Sequence, residues 1–167
     1  MNNHEDKKMT FWGASPIVFL ITILYSIAVI LIDYFLKPIF QIDFIPHRIL
    51  ITLAVVLLSV GIPSYFTTLL TLKTSYKQNK LLTMGVFSIC RNPLFAEVTF
   101  FLLPGILLFL NSWLLLTIPC FLYIMFKIFI KREEKLMERE FGQDYIEYKK
   151  ITSAIFPKLW KYKKDTD

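Results

Sequence analysis

The apolar residues of this chain come in runs long enough to cross a bilayer, and that leaves few folds open to it. Four segments stand out: residues 15–36, closed by Lys37-Pro38; residues 49–72, with Gly61 and Pro63 inside; residues 93–110, interrupted by Pro104-Gly105; and residues 113–130. A helix needs about 20 residues at 1.5 Å rise to span the hydrocarbon core, so the first two are full spans and the last two are short. Only Asn111-Ser112 joins the last two, which makes them a tight helical hairpin. Gly61 and Pro63 mark where the second span can bend. The expectation is an all-α, polytopic membrane protein of about four transmembrane helices, in one domain over residues 1–167. Residues 1–72 supply two spans, and residues 73–167 form the rest of the domain.

Composition agrees. The chain is 55% hydrophobic and 16% aromatic, with sixteen Phe and five Gly, too apolar for an ordinary soluble domain of this size. Its net charge of +6 could point to nucleic acid, but the basic residues flank apolar spans, where anionic headgroups and membrane orientation account for them. No nucleic-acid partner is expected. The first apolar run follows Lys7 and Lys8 as a signal peptide would, yet it outlasts a secretory h-region and no small-residue cleavage site follows, so it reads as a retained span. Cys90 and Cys120 lack metal-type neighbours and read as structural or incidental, without a disulfide. His4 and His47 are too far apart in sequence, and too isolated, for a metal site.

Charge placement sets the orientation. Residues 73–91 carry Lys73, Lys77, Lys80 and Arg91 and no acidic residue, the tail after the last span begins Lys131-Arg132, and the Asn111-Ser112 turn has no charge. The positive-inside rule puts both termini and residues 73–91 in the cytoplasm, which an even number of spans requires. Past residue 130 the sequence K-R-E-E-K-L-M-E-R-E-F-G reads as a charged amphipathic helix capped by Gly142. D-Y-I-E-Y-K-K-I then reads as a second short helix, and a basic aromatic end from Lys158 to Lys164 suits the headgroup layer.

Two stretches carry chemistry. Asn92 and Pro93 are an N-cap and first-turn pair that start the third span, with Arg91 at the cytoplasmic boundary. Either Arg91 merely snorkels, or its guanidinium and the unpaired helix-start N–H groups form a site for a carboxylate or phosphate. Glu97 lies one turn into the span, where a carboxylate is expensive. It is an internal ion-pair member, with Arg91 as a candidate partner, or a functional group. In the helix after residue 130, Ile130, Met137 and Phe141 share a stripe that also holds Glu134, with Glu133 at its border. Lys131, Arg132, Lys135 and Glu138 can face outward. Glu134 either pairs with a basic residue of the 73–91 segment or serves a site.

Taken together, the two stretches resemble the shared core of the isoprenylcysteine carboxyl methyltransferase and phospholipid methyltransferase superfamily of integral membrane enzymes. The first family pattern, approximately T-x-G-x-Y-x-x-x-R-[HN]-P-x-Y, is similar to Thr83, Gly85, Phe87, Arg91, Asn92, Pro93 and Phe95. The second, approximately E-E-x-x-L-x-x-x-F-G-x-x-Y-x-x-Y, is similar to Glu133, Glu134, Met137, Phe141, Gly142, Tyr145 and Tyr148. Phenylalanine replaces both tyrosines of the first pattern, Asn92 stands where eukaryotic relatives carry histidine, and Thr152-Ser153-Ala154 stands where many relatives carry V-P-R.

The resemblance implies S-adenosylmethionine as cofactor and makes residues 73–167 a methyltransferase core. It implies that Glu133 or Glu134 takes the cofactor's ammonium. Arg91 with the Asn92-Pro93 helix start takes its carboxylate, and Gly85, Phe87 and Phe95 line the same pocket. Arg91 and Glu97 are the catalytic candidates, Glu97 as the group able to accept a proton from an amine. No metal is implied. The acceptor is a membrane lipid or a lipidated small molecule entering laterally, while the cofactor enters from the cytoplasm. Carboxyl O-methylation of an isoprenylcysteine-type thioether ranks first, phospholipid N-methylation second, and O- or S-methylation of another hydrophobic molecule third. The expected location is a bacterial inner membrane. The competing class is a non-catalytic membrane protein such as a small transporter. A transporter spreads polar residues through its spans, whereas here they cluster at one boundary.

Overall fold

The structure, a computed structural model, describes residues 15–77 and 81–156. His4, Lys7, Lys8, Lys80 and the basic aromatic end from Lys158 to Lys164 lie outside the described residues. Among those described, the elements are α1 (Ser15–Phe35), a 3₁₀ turn (Lys37–Phe40), α2 (His47–Lys77), a 3₁₀ turn (Gly85–Ser88), α3 (Pro93–Glu97), a π-helical turn (Val98–Leu102), α4 (Leu103–Leu108), α5 (Thr117–Phe141) and α6 (Gln143–Ile151). All regular structure is helical, as the apolar runs require.

Two of these helices, over Pro16–Phe35 and His47–Thr74, are long and apolar enough to cross a membrane. Only 22% and 17% of their most apolar windows are buried against the rest of the chain, which separates them from the core helices of a soluble protein. Their outward faces carry Leu20, Leu24, Ile27 and Leu31 on α1 and Val56, Val60, Phe66 and Leu70 on α2. An apolar surface of that extent needs a lipid solvent. Pro63 is accommodated inside a continuous α2.

The third apolar segment is a single stack, Pro93–Leu108, made of α3, the π turn and α4. Pro104 explains the interruption. It has no N–H for the i−4 carbonyl and its ring crowds that carbonyl, and the ladder widens to π geometry just before it. The stack packs tightly on α2 because both sides supply a glycine. A Cβ on Gly61 would lie 2.6 Å from Phe101 Cβ, and one on Gly105 would lie 2.8 Å from Leu58 Cγ.

Two expectations at this end need correction. The connection before α5 is longer than Asn111-Ser112: α4 stops at Leu108 and α5 starts at Thr117 rather than Trp113. Asn111 adopts a left-handed φ of 52°, which ends the helix. The backbone around it then pairs sideways, Ile42 N–H donating to Asn111 O (3.2 Å) and Trp113 N–H to Phe40 O (3.1 Å). The Ser112 hydroxyl donates to the buried Asp33 carboxylate. Pro119 falls in the first turn of α5, where a missing N–H breaks no ladder bond. The second correction concerns the amphipathic helix after residue 130, which is no separate element. With neither Gly nor Pro between Pro119 and Gly142, the fourth apolar segment and the charged stretch form one 25-residue helix. Gly142, at φ 56°, ends it.

Three apolar clusters hold the elements together. Val18 of α1, Phe95 of α3, Leu122, Phe126 and Ile130 of α5, and Ile155 form the one beneath the charged end. Val29, Leu107, Leu115 and Ile118 form the second, and Ile42, Leu50, Ala54 and Leu108 the third. Tyr25 stacks on Phe121 at 4.0 Å and its hydroxyl donates to Thr117 Oγ1 (3.0 Å), fixing α1 against α5. The start of α3, the charged half of α5, and α6 therefore meet at one end of the bundle, opposite Asp33, Ser112 and Trp113.

Candidate active site

Arg91 sits just before α3 and turns away from α2. One guanidinium nitrogen, Nη1, donates to the carbonyls of Lys149 (2.8 Å) and Thr152, and Nη2 donates to Glu134 Oε1 at 2.5 Å. The pair is well enclosed, with side chains 8% and 11% exposed. Lys149 of α6 takes the other Glu134 oxygen at 2.7 Å and also reaches Glu138 at 2.9 Å. The hydrogen bond to Glu134 is the main cause holding the Lys149 ammonium above its ordinary pKa; partial burial works against it and Glu138 adds to it. Two cations and two carboxylates thus form a network joining the start of α3 to the consecutive helices α5 and α6.

Backbone pairing locks this network in place. Arg91 N–H donates to Ser153 O (2.8 Å) and Asn92 N–H to Ala154 O (3.1 Å), alongside a parallel bridge between Cys90 and Ser153. The buried Cys90 thiol donates to Ile155 O at 3.0 Å, and burial pushes its pKa up to about 11. Tyr148 donates to Phe87 O at 2.5 Å, and burial pushes the neighbouring Tyr145 phenol up to about 12. Both cysteines are free, Cys120 on an exposed face. Asn92 occupies the N-cap position but makes no side-chain cap. Its Nδ2 donates instead to Ala154 O at 3.1 Å, in the segment that pairs with Cys90 and Arg91.

Glu97 does not pair with Arg91. It faces α2 and is buried, with Oε1 accepting hydrogen bonds from Ser64 Oγ (2.6 Å) and Thr68 Oγ1 (2.8 Å). Among the described residues its Oε2 is buried with no hydrogen-bond partner, as is the Thr99 hydroxyl in the following π turn. Arg91 precedes α3 and is drawn to α5 and α6, while Glu97 ends α3 on the side that meets α2. Of the remaining sequence candidates, Pro93 is buried at the start of α3, and Phe95 packs between Phe19 (5.2 Å) and Phe126 (4.5 Å) in the apolar cluster. Phe87 is buried with its carbonyl accepting from the Tyr148 hydroxyl, and Gly85 is exposed with φ 62°, a conformation that favours glycine. Glu133 is half-buried on α5 beside Glu134 and has an interaction partner of its own.

The structure adds participants that the motifs did not name: Lys149, the carbonyls of 152–155, and the hydroxyls of Ser64 and Thr68. Ser64 and Thr68 share one helix face at a spacing of four, but α2 also carries Thr52, Ser59, Thr67 and Thr71, so sequence did not single them out. The backbone acceptors had no signal.

An anion would find unused donors here. Among the described residues Arg91 Nε and the Thr152 hydroxyl are both buried without a partner, although both Nη atoms of Arg91 are engaged. Beside them lies a carboxylate, Glu134, neutralised by ammonium and guanidinium. A zwitterion such as an amino acid moiety matches this layout, with its carboxylate toward Arg91 and Thr152 and its ammonium toward Glu134. Among the described residues no group of metal-type side chains gathers.

Fold and site together define a helical membrane protein with a polar, zwitterion-compatible cluster at one end of its helices. The family model for phospholipid methyltransferases matches residues 47–144, more than half of the sequence, and the chain belongs to that family, within the superfamily that also contains the isoprenylcysteine carboxyl methyltransferases. Methyltransferases of this family use S-adenosylmethionine. The match spans α2 through α5, so it includes Glu97, Arg91 and Glu134 and ends just before Tyr145 and Lys149. No curated protein and no solved structure matches the chain.

Proposed function

We propose that this protein is a multi-pass membrane enzyme that methylates the headgroup amine of a phospholipid, with S-adenosylmethionine as donor. The cofactor supplies a methyl group activated on a sulfonium. Arg91 and Thr152 hold its carboxylate and Glu134, with Glu133 alongside, its ammonium. The Arg91-Asn92-Pro93 turn fixes these groups at the membrane boundary, and Phe87 and Phe95 supply the apolar wall that excludes water. Pairing across the Cys90–Ser153 bridge keeps them in register.

The observation that carries the choice of acceptor is the orphaned Oε2 of Glu97. An amine headgroup reaches the membrane protonated and must lose a proton before its lone pair can accept a methyl group. A buried carboxylate with one free oxygen, steadied by two hydroxyls, attracts that ammonium and takes its proton. The same carboxylate repels the carboxylate of a prenylcysteine. That favours the amine over isoprenylcysteine-type O-methylation, which the sequence alone ranks first. Thr68 is fully buried but Ser64 is only half-buried, so access to the carboxylate lies on the Ser64 side of α2, a lateral way in for an acyl-chain substrate.

The arrangement also fits a four-span topology in which Pro93–Leu108 and the apolar half of α5 complete the bundle, with both termini and residues 73–91 cytoplasmic. Labelled-methyl transfer in proteoliposomes, with an ethanolamine phospholipid and a prenylcysteine analogue run side by side, tests the assignment. Label in the amine lipid, falling at least tenfold in Glu97→Gln, is the expected result. Label in the prenylcysteine alone would reassign the acceptor.

A further inference from the structure

Glu134 has no free oxygen: Arg91 holds Oε1 and Lys149 holds Oε2. On the reading above, on which this inference rests, an incoming ammonium needs one of those oxygens, so one resident cation must yield. We infer that Lys149 is an internal stand-in for the cofactor's ammonium, vacating Glu134 when the cofactor binds and moving onto Glu138.

The two cations differ in every respect that decides which one leaves. Arg91 is enclosed, donates to two carbonyls besides Glu134, and is pinned through its own backbone to Ser153. Lys149 is 36% exposed on a flexible stem, and Glu138 stands 2.9 Å from its Nζ as a second partner already engaged. Leaving Glu134 therefore strands no charge on Lys149. An ammonium is also a point charge of the kind the cofactor brings, so the exchange keeps the Glu134 oxygen paired with like chemistry, whereas a departing guanidinium would break a planar, multiply bonded contact. Glu138 serves as the resting place, and Lys149 and Glu138 together set how strongly the empty site competes with its ligand.

Lys149 is thus a positioning residue whose removal tightens binding, the reverse of what loss of an ordinary ligand contact does. Isothermal titration of the purified full chain tests this with S-adenosylmethionine, with S-adenosylhomocysteine, and with methylthioadenosine, which lacks the amino acid end. In Lys149→Met the first two bind about three- to tenfold tighter, the range expected for removing one partly screened competitor, while methylthioadenosine affinity stays the same. Lys149→Arg, which restores the positive charge, returns affinity toward wild type, and Glu138→Gln, which removes the resting place, weakens binding. Melting of the ligand-free protein gives an independent reading, because Lys149→Met lowers its stability while enlarging the cofactor-induced shift. Weaker or unchanged binding of S-adenosylmethionine in Lys149→Met overturns the inference and leaves the methyltransferase reading standing. No binding by wild type or variant overturns both.

Discussion

The Arg91–Glu134 pair is the joint on which the charged end depends, and a double-mutant cycle measures it. Arg91→Met keeps the aliphatic stem and removes the guanidinium, deleting the 2.5 Å bond to Glu134 and the bonds to the Lys149 and Thr152 carbonyls. Breaking an enclosed pair by truncating one member costs about 3–5 kcal/mol, chiefly because the partner is left uncompensated. Glu134 keeps Lys149 at 2.7 Å, so the loss belongs at the low end, about 3 kcal/mol. For a chain of this size, each kcal/mol moves the melting midpoint by about 2–4 °C, giving a drop of about 6–12 °C for Arg91→Met. Glu134→Gln leaves Arg91 its two carbonyls and should cost less, about 2 kcal/mol. The double variant should fall short of the sum by at least 1 kcal/mol, as directly bonded residues do. Thermal unfolding in a mild detergent, followed by intrinsic fluorescence, provides the four values. Losses that add within about 0.5 kcal/mol would refute a direct pair and with it the closure of α3 on α5.

Two further outcomes test the packing and the buried thiol. Gly61→Ala should destabilise more than Gly105→Ala by about 1 kcal/mol in the same melting assay, because the new methyl at 61 meets Phe101 Cβ, which is fixed to the backbone, while the one at 105 meets chiefly Leu58 Cγ and Cδ2, which side-chain rotation can shift. Cys90 should resist maleimide at pH 8 until the protein is denatured. Its folded pKa of about 11 exceeds the ordinary 9.0, so the unfolded chain loses the proton first, and the stability present below pH 9 should decline between pH 9 and 11, less steeply in Cys90→Ala.

Much of this architecture could be read from residue order, for identifiable reasons. The first two spans are visible because α1 and α2 meet lipid over most of their surface, and an unbroken apolar run is the only sequence that tolerates that. Gly142 and the Pro93 start were legible because each answers a local backbone need. The segment from Leu108 to Thr117 is not legible in sequence because its conformation depends on partners at Asp33, Phe40 and Ile42, which no local pattern reveals. The change from apolar to charged sequence at Lys131 is a change of side-chain character along α5 and no break in its backbone. At the site, Glu134 stood out as a charge on an apolar stripe whose expected ion-pair partner was some basic residue of the 73–91 segment, and the structure makes that residue Arg91. Glu97 stood out likewise, but its partners Ser64 and Thr68 lie on another helix. The 152–155 segment contributes through carbonyl oxygens, which every residue owns, so its sequence was silent about its part.

The most direct test of the account is titration of the purified wild-type protein with S-adenosylmethionine, repeated with Glu134→Ala. Saturable heat at one cofactor per chain, accompanied by a rise in melting temperature and lost or at least tenfold weakened in Glu134→Ala, is the predicted result. A wild-type protein that gives neither heat nor a thermal shift would contradict it and return the charged cluster to a purely structural role.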